Sequence, residues 1–104
     1  MSRQLTDEEI ERQLADLPLW TREGDAIVAT IDAPDFPAAI RIVTEAAEVA
    51  EEMNHHPDID IRWNTVTLVQ SSHSEGGLTR ADLEMAQRIN DIAGIERDED
   101  GSAS

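Results

Sequence analysis

The segment NHHPDIDIRWNTVTLVQSSH, residues 54–73, is the most informative part of the sequence about the fold, because it holds two alternating runs on either side of a turn. Residues 59–63 and residues 66–73 both alternate apolar with polar side chains, which is typical of strands with one buried face. Asn64-Thr65 suits a tight turn, and we expect Trp63 to pack in the core. The pattern predicts an antiparallel β-hairpin.

A helix and a first strand pair are predicted before this hairpin. Thr6 and Glu9 have the spacing of a capping box at the start of the helix. Trp20 lies in a short extended segment, and residues 27–31 alternate after a turn at residues 23–25.

A long helix is predicted between the two strand pairs. Asp35 is its expected N-cap, and Pro57 ends it because the residue before a proline is disfavoured in the helical region. Its apolar side chains recur at helical spacing, so we expect one face to be buried. The residues expected on that face are Phe36, Ile40, Val43, Ala47 and Ala50.

A third helix is predicted after the hairpin. Thr79 is its expected N-cap, Asp82 stands at the capping-box position and Gly94 suits its C-terminal end. Residues 96–104 are polar and charged, so we expect a disordered acidic tail after a single domain over residues 1–95.

These elements predict an α+β fold, a two-layer sandwich in the order α-β-β-α-β-β-α. A four-stranded antiparallel sheet would carry three helices on one face. The other sheet face must be polar or covered by a partner subunit.

Composition excludes several classes of protein. The 104 residues contain no cysteine, so a disulfide framework and cysteine-ligated metal or haem sites are ruled out. The 23 acidic residues against 8 basic ones give a net charge of −15, a surface that repels phosphate, so we expect no direct nucleic-acid ligand. No stretch suits a signal peptide or a membrane span, and we expect a cytoplasmic, soluble protein.

All 8 basic residues are arginine, which together with the acidic excess fits a halophilic protein. In molar salt the Debye length falls to about 3 Å, and repulsion between surplus charges becomes weak. The alternative is an acidic protein without adaptation to salt.

The three histidines, His55, His56 and His73, lie at the ends of predicted elements around the hairpin, where they could converge. Glu51 stands four residues before His55, a spacing that allows a hydrogen bond on one helical face. Three interpretations remain open on these grounds. The residues could be exposed polar groups, a three-histidine metal site, or acid–base groups whose pKa suits neutral pH.

The motif Glu51-x-x-x-His55-His56-Pro57, followed at fixed spacing by Trp63, His73 and Asp82, resembles that of the pterin-4a-carbinolamine dehydratases. The resemblance covers residues 5 to 93. Four further segments match the family in order and spacing: Leu5 to Ile10, Leu17-Pro18-x-Trp20, Asp35-Phe36 and Gly76-Gly77-Leu78-Thr79.

The resemblance implies dehydration of 4a-hydroxytetrahydropterin to quinonoid dihydropterin, which recycles the cofactor of aromatic amino acid hydroxylases. It implies His55 and His73 as the acid–base pair, and His56, Glu51 and Trp20 as substrate-binding residues. Core packing is an equal alternative for Trp20, and Asp82 is expected to cap its helix rather than act as an acid. No metal or other cofactor is implied.

The resemblance also implies a homodimer or homotetramer. Two alternatives to the hydroxylase-linked reaction stay open. One is a non-catalytic module, since some members of the family bind a homeodomain transcription factor through a helix. The other is a dehydratase that acts on a molybdopterin-related substrate.

Overall fold

A computed structural model describes residues 4–71 and 76–101, with side chains described for residues 4–71 and 76–94. Three helices and four strands follow one another in the predicted order α-β-β-α-β-β-α, which confirms the predicted fold class. The elements are α1 (Asp7–Leu14), β1 (Trp20–Glu23), β2 (Ala26–Asp32), α2 (Phe36–Met53), β3 (Asp58–Arg62), β4 (Thr65–Gln70) and α3 (Arg80–Gly101).

The strands form one antiparallel sheet in the order β1-β2-β4-β3. The hairpin β3–β4 is placed beside β2 rather than beside β1, so β4 becomes a central strand and β3 an edge strand. The alternate residues of β2 and β4 that face the helices are buried, and they form the floor of the core. These residues are Ile27, Ala29, Ile31, Val66, Leu68 and Gln70.

The hairpin turn lies one residue earlier than predicted. Arg62 pairs with Thr65, so Trp63 and Asn64 form a two-residue loop. The first position of such a loop needs a positive φ when the turn is of type II′, and Trp63 has φ 56°. Its side chain is 67% exposed at the tip of the hairpin, so the prediction that Trp63 packs in the core is wrong.

The buried face of α2 also differs from the predicted one. Phe36 and Ile40 are exposed, Val43 is half-buried, and Ala50 alone of the five predicted residues is buried. The face that packs on the sheet and α3 is rich in alanine, which allows the helix to approach its neighbours closely. Its residues are Ala38, Ala39, Ile42, Ala46, Val49 and Ala50.

Helix α3 begins as predicted and extends further than predicted. The backbone amide of Thr79 donates to Oδ2 of Asp82 at 2.9 Å, which confirms the predicted capping role of Asp82. The helix continues to Gly101, so Gly94 does not end it. It therefore covers residues 96–101 of the segment for which composition predicts disorder, and the disorder of 96–104 in solution stays a prediction.

The helices in the described part of the chain lack the features of a membrane span. No helix there combines the length and the apolar character that crossing a bilayer requires.

Candidate functional site

The end of α2 separates the two adjacent histidines from the helix. Asn54 adopts the left-handed conformation with φ 52° and ψ 46°. The amide of His55 donates to the carbonyl of Ala50 at 3.0 Å, and that of Asn54 donates to the carbonyl of Glu51 at 3.3 Å. This is a Schellman motif, for which asparagine is one of the residues that tolerate the left-handed position. The chain therefore leaves the helical path just before His55.

His55 turns inward and meets a buried carboxylate. Its Nε2 lies 2.5 Å from Oδ1 of Asp82. The side chain of His55 is 17% exposed, whereas that of Asp82 is 0% exposed. The contact joins the end of α2 to the first turn of α3 across 27 positions of sequence. His55 therefore lies partly exposed, with its Nε2 bound to the buried Asp82 carboxylate.

Asp82 is held in turn by β4 and by its own helix. The side-chain amide of Gln70, the last residue of β4, donates to the backbone carbonyl of Asp82 at 3.3 Å. The amide of Thr79 donates to its carboxylate. Gln70, Thr79 and Asp82 are all buried. The position of His55 thus depends on three elements: α2, β4 and α3.

The segment that leads into α3 is hydrogen-bonded to residues near the start of α1, Gln4 and Leu5. The amide of Leu5 donates to the carbonyl of Leu78 at 2.8 Å. Gln4 and Thr79 form an isolated antiparallel β-bridge. Gly76 has φ +81°, and a Cβ there would lie 2.7 Å from Nε2 of Gln4. A side chain at this position is therefore disfavoured by the backbone conformation, whereas the end of the flexible Gln4 side chain could move aside.

His56 turns outward and pairs with Glu51. Its Nε2 lies 2.7 Å from Oε2 of Glu51, and the two side chains are 57% and 77% exposed. The predicted hydrogen bond between Glu51 and His55 is therefore wrong. The helical four-residue rule does not apply here, because Asn54 ends the helix and redirects both imidazoles.

The remaining site residues have different outcomes. His73 lies outside the described residues, so its convergence with His55 stays a prediction. Trp20 is buried in the core, which favours its alternative role in packing, and its contact with a substrate stays a prediction. Two buried atoms, Nε1 of Trp20 and Oε1 of Gln70, have no hydrogen-bond partner among the residues that the structure describes.

The part of the chain that the structure describes contains no cluster of potential metal-ligating side chains. No group of three or more histidine, aspartate or glutamate side chains there is placed to hold an ion. Among the ion pairs that involve arginine, one joins α2 to α3, where Nη2 of Arg88 lies 2.8 Å from Oε2 of Glu52. The hydrogen bond and charge of Arg88 lower the pKa of Glu52.

Asp82 is the residue whose partner sequence reasoning missed. Its spacing to Thr79 indicated a helix cap, and that role is real. No local pattern could show that its second oxygen faces an imidazole that follows the end of another helix. The clue was that Asp82 belongs to the fixed-spacing motif together with the histidines.

The same region of chain is matched by known proteins. A family model described as Pterin 4 alpha carbinolamine dehydratase matches residues 3–92. A protein of Nocardia farcinica, provisionally named pterin-4-alpha-carbinolamine dehydratase, is 55% identical over 89 residues, which are 86% of this chain and 94% of the relative. A protein of a Roseiflexus species with the same provisional name is 49% identical over 92 residues, 88% of this chain and 99% of the relative.

Two solved structures share the fold. A Brucella melitensis crystal structure, described as a transcriptional coactivator/pterin dehydratase, has a TM-score of 0.84 and 34% sequence identity. The match covers 88% of this chain and all of that one. A pterin dehydratase-like protein, described as a RuBisCO assembly factor of the alpha-carboxysome, has a TM-score of 0.60. At 17% identity over 72% of this chain and 87% of that chain, it supports the fold alone.

Proposed function

The chain belongs to the pterin 4 alpha carbinolamine dehydratase family, and we propose that it removes water from 4a-hydroxytetrahydropterin to give quinonoid dihydropterin. Family membership confirms the resemblance that the motif around His55 and His56 predicted. The reaction, its substrate and the roles of individual residues are our proposal.

The observation that carries the proposal is the placement of His55. An acid–base group needs one ring nitrogen accessible to substrate and a fixed orientation. Two observations on His55 agree with these needs: its side chain is partly exposed, and its Nε2 is held by the buried carboxylate of Asp82. His55 also occupies a position of the family motif.

The proposed reaction needs one acid and one base. The acid protonates the hydroxyl group on C4a, and the lone pair of the neighbouring ring nitrogen helps to break the C–O bond, so water leaves. The base then takes a proton from a ring nitrogen. The products are quinonoid dihydropterin and water, and the enzyme ends with the number of protons it had at the start. We assign these two steps to His55 and His73.

Binding of the pterin ring is assigned to the exposed pair beside His55. His56 and Glu51 are mostly exposed, and a glutamate carboxylate is a suitable acceptor for the amino-pyrimidine edge of a pterin. The cytoplasmic location and the link to hydroxylase cofactors are part of this proposal.

A dehydratase assay with a synthetic 4a-carbinolamine, run in molar salt, tests the proposal. We expect turnover by the wild-type protein and a loss of about 10²–10⁴-fold in kcat for His73→Ala. Thermal unfolding of the variant serves as the control for its fold. A wild-type protein that does not accelerate dehydration would contradict the proposal, and turnover of only a molybdopterin-related carbinolamine would contradict the substrate.

Self-association is a second proposal, and the outer face of α2 supports it. Phe36 and Ile40 are exposed on that helix, and Ile59 is exposed on the edge strand β3. Apolar side chains in such positions are often covered by another chain, so we propose a homodimer or homotetramer. Light scattering in molar salt tests this, with Phe36→Asp as the disrupting variant. A monomeric wild-type protein would contradict it.

A binding module without catalytic activity is the other candidate function. The exposed apolar residues of α2 favour it, and the Brucella structure carries the description of coactivator as well as dehydratase. The dehydratase assay separates the two functions, because a module has no turnover to lose in His55→Ala or His73→Ala.

A further inference from the structure

Asp82 is entirely buried, so it acts on the site through its neighbours. Its Oδ2 accepts a hydrogen bond from the amide of Thr79 at 2.9 Å, and its Oδ1 lies 2.5 Å from Nε2 of His55. A carboxylate with 0% exposure has no surface that a substrate could touch. It can act on the site through the side chains that it contacts, and the ring of His55 is one of these.

The two contacts determine where the proton of His55 lies. A backbone amide can only donate, so Oδ2 is an acceptor. An ionised carboxylate offers acceptors at both oxygens, so Oδ1 also accepts and Nε2 of His55 must carry a hydrogen. In a neutral imidazole the other nitrogen, Nδ1, then holds the lone pair.

We propose that Asp82 is a positioning residue that holds His55 as the Nε2–H tautomer and leaves Nδ1 as the nitrogen that exchanges protons with the pterin. The role of Nδ1 rests on the proposed dehydratase function. The tautomer is inferred from the contacts of Asp82 with Thr79 and His55, and it does not depend on that function.

The surroundings of Asp82 support a fixed orientation. Gln70 holds its backbone carbonyl from β4, and Thr79 holds its carboxylate from the start of α3. His56 provides the contrast, because its Nε2 also meets a carboxylate, that of Glu51, but both of those side chains are largely exposed. Water competes for that pair, so its geometry does not fix a tautomer.

Asparagine at position 82 separates the two roles of the carboxylate. Its single side-chain oxygen can accept from Thr79, which keeps the helix cap. Its NH₂ group then faces Nε2 of His55 and can only donate, so Nε2 must become an acceptor and the hydrogen must move to Nδ1. Asp82→Asn is therefore expected to invert the tautomer while keeping the size of the side chain.

Asp35→Asn is the matched control. Asp35 caps α2 through a hydrogen bond from the amide of Ala38 to its Oδ1 at 2.8 Å, and it contacts no histidine within the described chain. The same substitution there tests the loss of a capping carboxylate without a change at an imidazole.

The experiment combines long-range ¹H–¹⁵N correlation spectra of the histidine rings with the dehydratase assay, each on the full chain. Signals of His55 are identified by their absence in His55→Gln. We expect Nε2–H in the wild-type protein and in Asp35→Asn, and Nδ1–H in Asp82→Asn. We also expect kcat of Asp82→Asn to fall by about 10²–10⁴-fold with little change in KM.

The outcomes are distinct. A wild-type His55 found mainly as Nδ1–H overturns the proposal without the need for a variant. A wild-type mixture of tautomers that a folded Asp82→Asn leaves unchanged also overturns it. An inverted tautomer with kcat unchanged overturns the role of Nδ1. A wild-type protein without dehydratase activity contradicts the proposed function instead, and the spectra still decide whether Asp82 sets the tautomer.

Discussion

His55 and His56 are neighbours in sequence, yet the structure gives them opposite surroundings. Each places Nε2 against a carboxylate, at 2.5 Å for His55 and Asp82 and at 2.7 Å for His56 and Glu51. Asp82 is fully buried, whereas Glu51 is 77% exposed. Burial of the partner carboxylate, rather than the contact distance, therefore separates a fixed imidazole from one that water can reach.

Alanine substitution of each histidine gives the largest expected difference. We expect His55→Ala to lower kcat by about 10²–10⁴-fold, because a positioned acid–base group is lost. His56→Ala should act mainly on KM, because His56 is assigned to binding. Steady-state kinetics in molar salt measures both. Equal losses of kcat in the two variants would mean that the exposed histidine is no less essential to the chemistry.

Removal of each carboxylate compares the two pairs by stability. Asp82→Ala leaves a buried amide of Thr79 and Nε2 of His55 without their acceptor, which should cost about 2–4 kcal/mol. Glu51→Ala breaks an exposed pair and should cost less than about 1 kcal/mol. Denaturant unfolding measures both values. If Asp82→Ala lowered the free energy of unfolding as little as Glu51→Ala does, this would contradict a fixed pair of His55 and Asp82.

Salt should change the surface and leave the buried pair intact. The net charge of −15 favours expansion at low ionic strength, so we expect the melting temperature to rise between dilute buffer and molar salt. The penalty of Asp82→Ala should persist in molar salt because a buried pair is screened much less. A melting temperature that does not depend on salt would remove the halophilic interpretation.

A third ion pair gives the smallest expected effect. Arg88 lowers the pKa of Glu52, chiefly through their hydrogen bond, from its ordinary value of 4.5. Because the folded pKa is lowered, the pair contributes stability above about pH 4.5 that is lost as pH falls through the folded pKa.

Unfolding of Glu52→Gln and of the wild-type protein, measured from neutral to acidic pH, tests this. The wild-type advantage should shrink on acidification and in molar salt. Glu48→Gln, a change at another exposed glutamate of α2, is the control. A wild-type advantage that grows toward acid pH would contradict the sign.

The type and order of the elements followed from sequence because periodicity is a local signal. The runs at residues 59–63 and 66–73 predicted the hairpin, and the caps Thr6 and Asp35 predicted two helix starts that the structure confirms. Residues at the boundaries were less predictable. Trp63 continued the alternating pattern of a strand, but the two-residue loop required it at the turn.

The buried face of α2 could not be chosen from its sequence. Apolar residues run along two adjacent stripes of that helix, and both satisfy helical spacing. The stripe with Ala46 and Ile42 is buried because the sheet and α3 lie on that side. Phe36 and Ile40 remain on the outer side.

The site was predicted only in part, because its motif is visible in the sequence whereas its contacts depend on how the elements pack. The motif identified His55 as a candidate acid–base group, while its partner depended on the packing of α2 against α3. Glu51 had the local spacing to pair with His55, but the left-handed Asn54 redirected the chain. Asp82, 27 positions away, became the partner instead.

A crystal structure of the full chain with a bound dihydropterin would show directly which nitrogen of His55 meets the pterin. We expect the pterin ring within hydrogen-bond distance, about 2.6–3.2 Å, of Nδ1 of His55 while Nε2 stays on Asp82. A pterin bound away from His55, or a ring that meets Nε2 after the contact with Asp82 has broken, would contradict it.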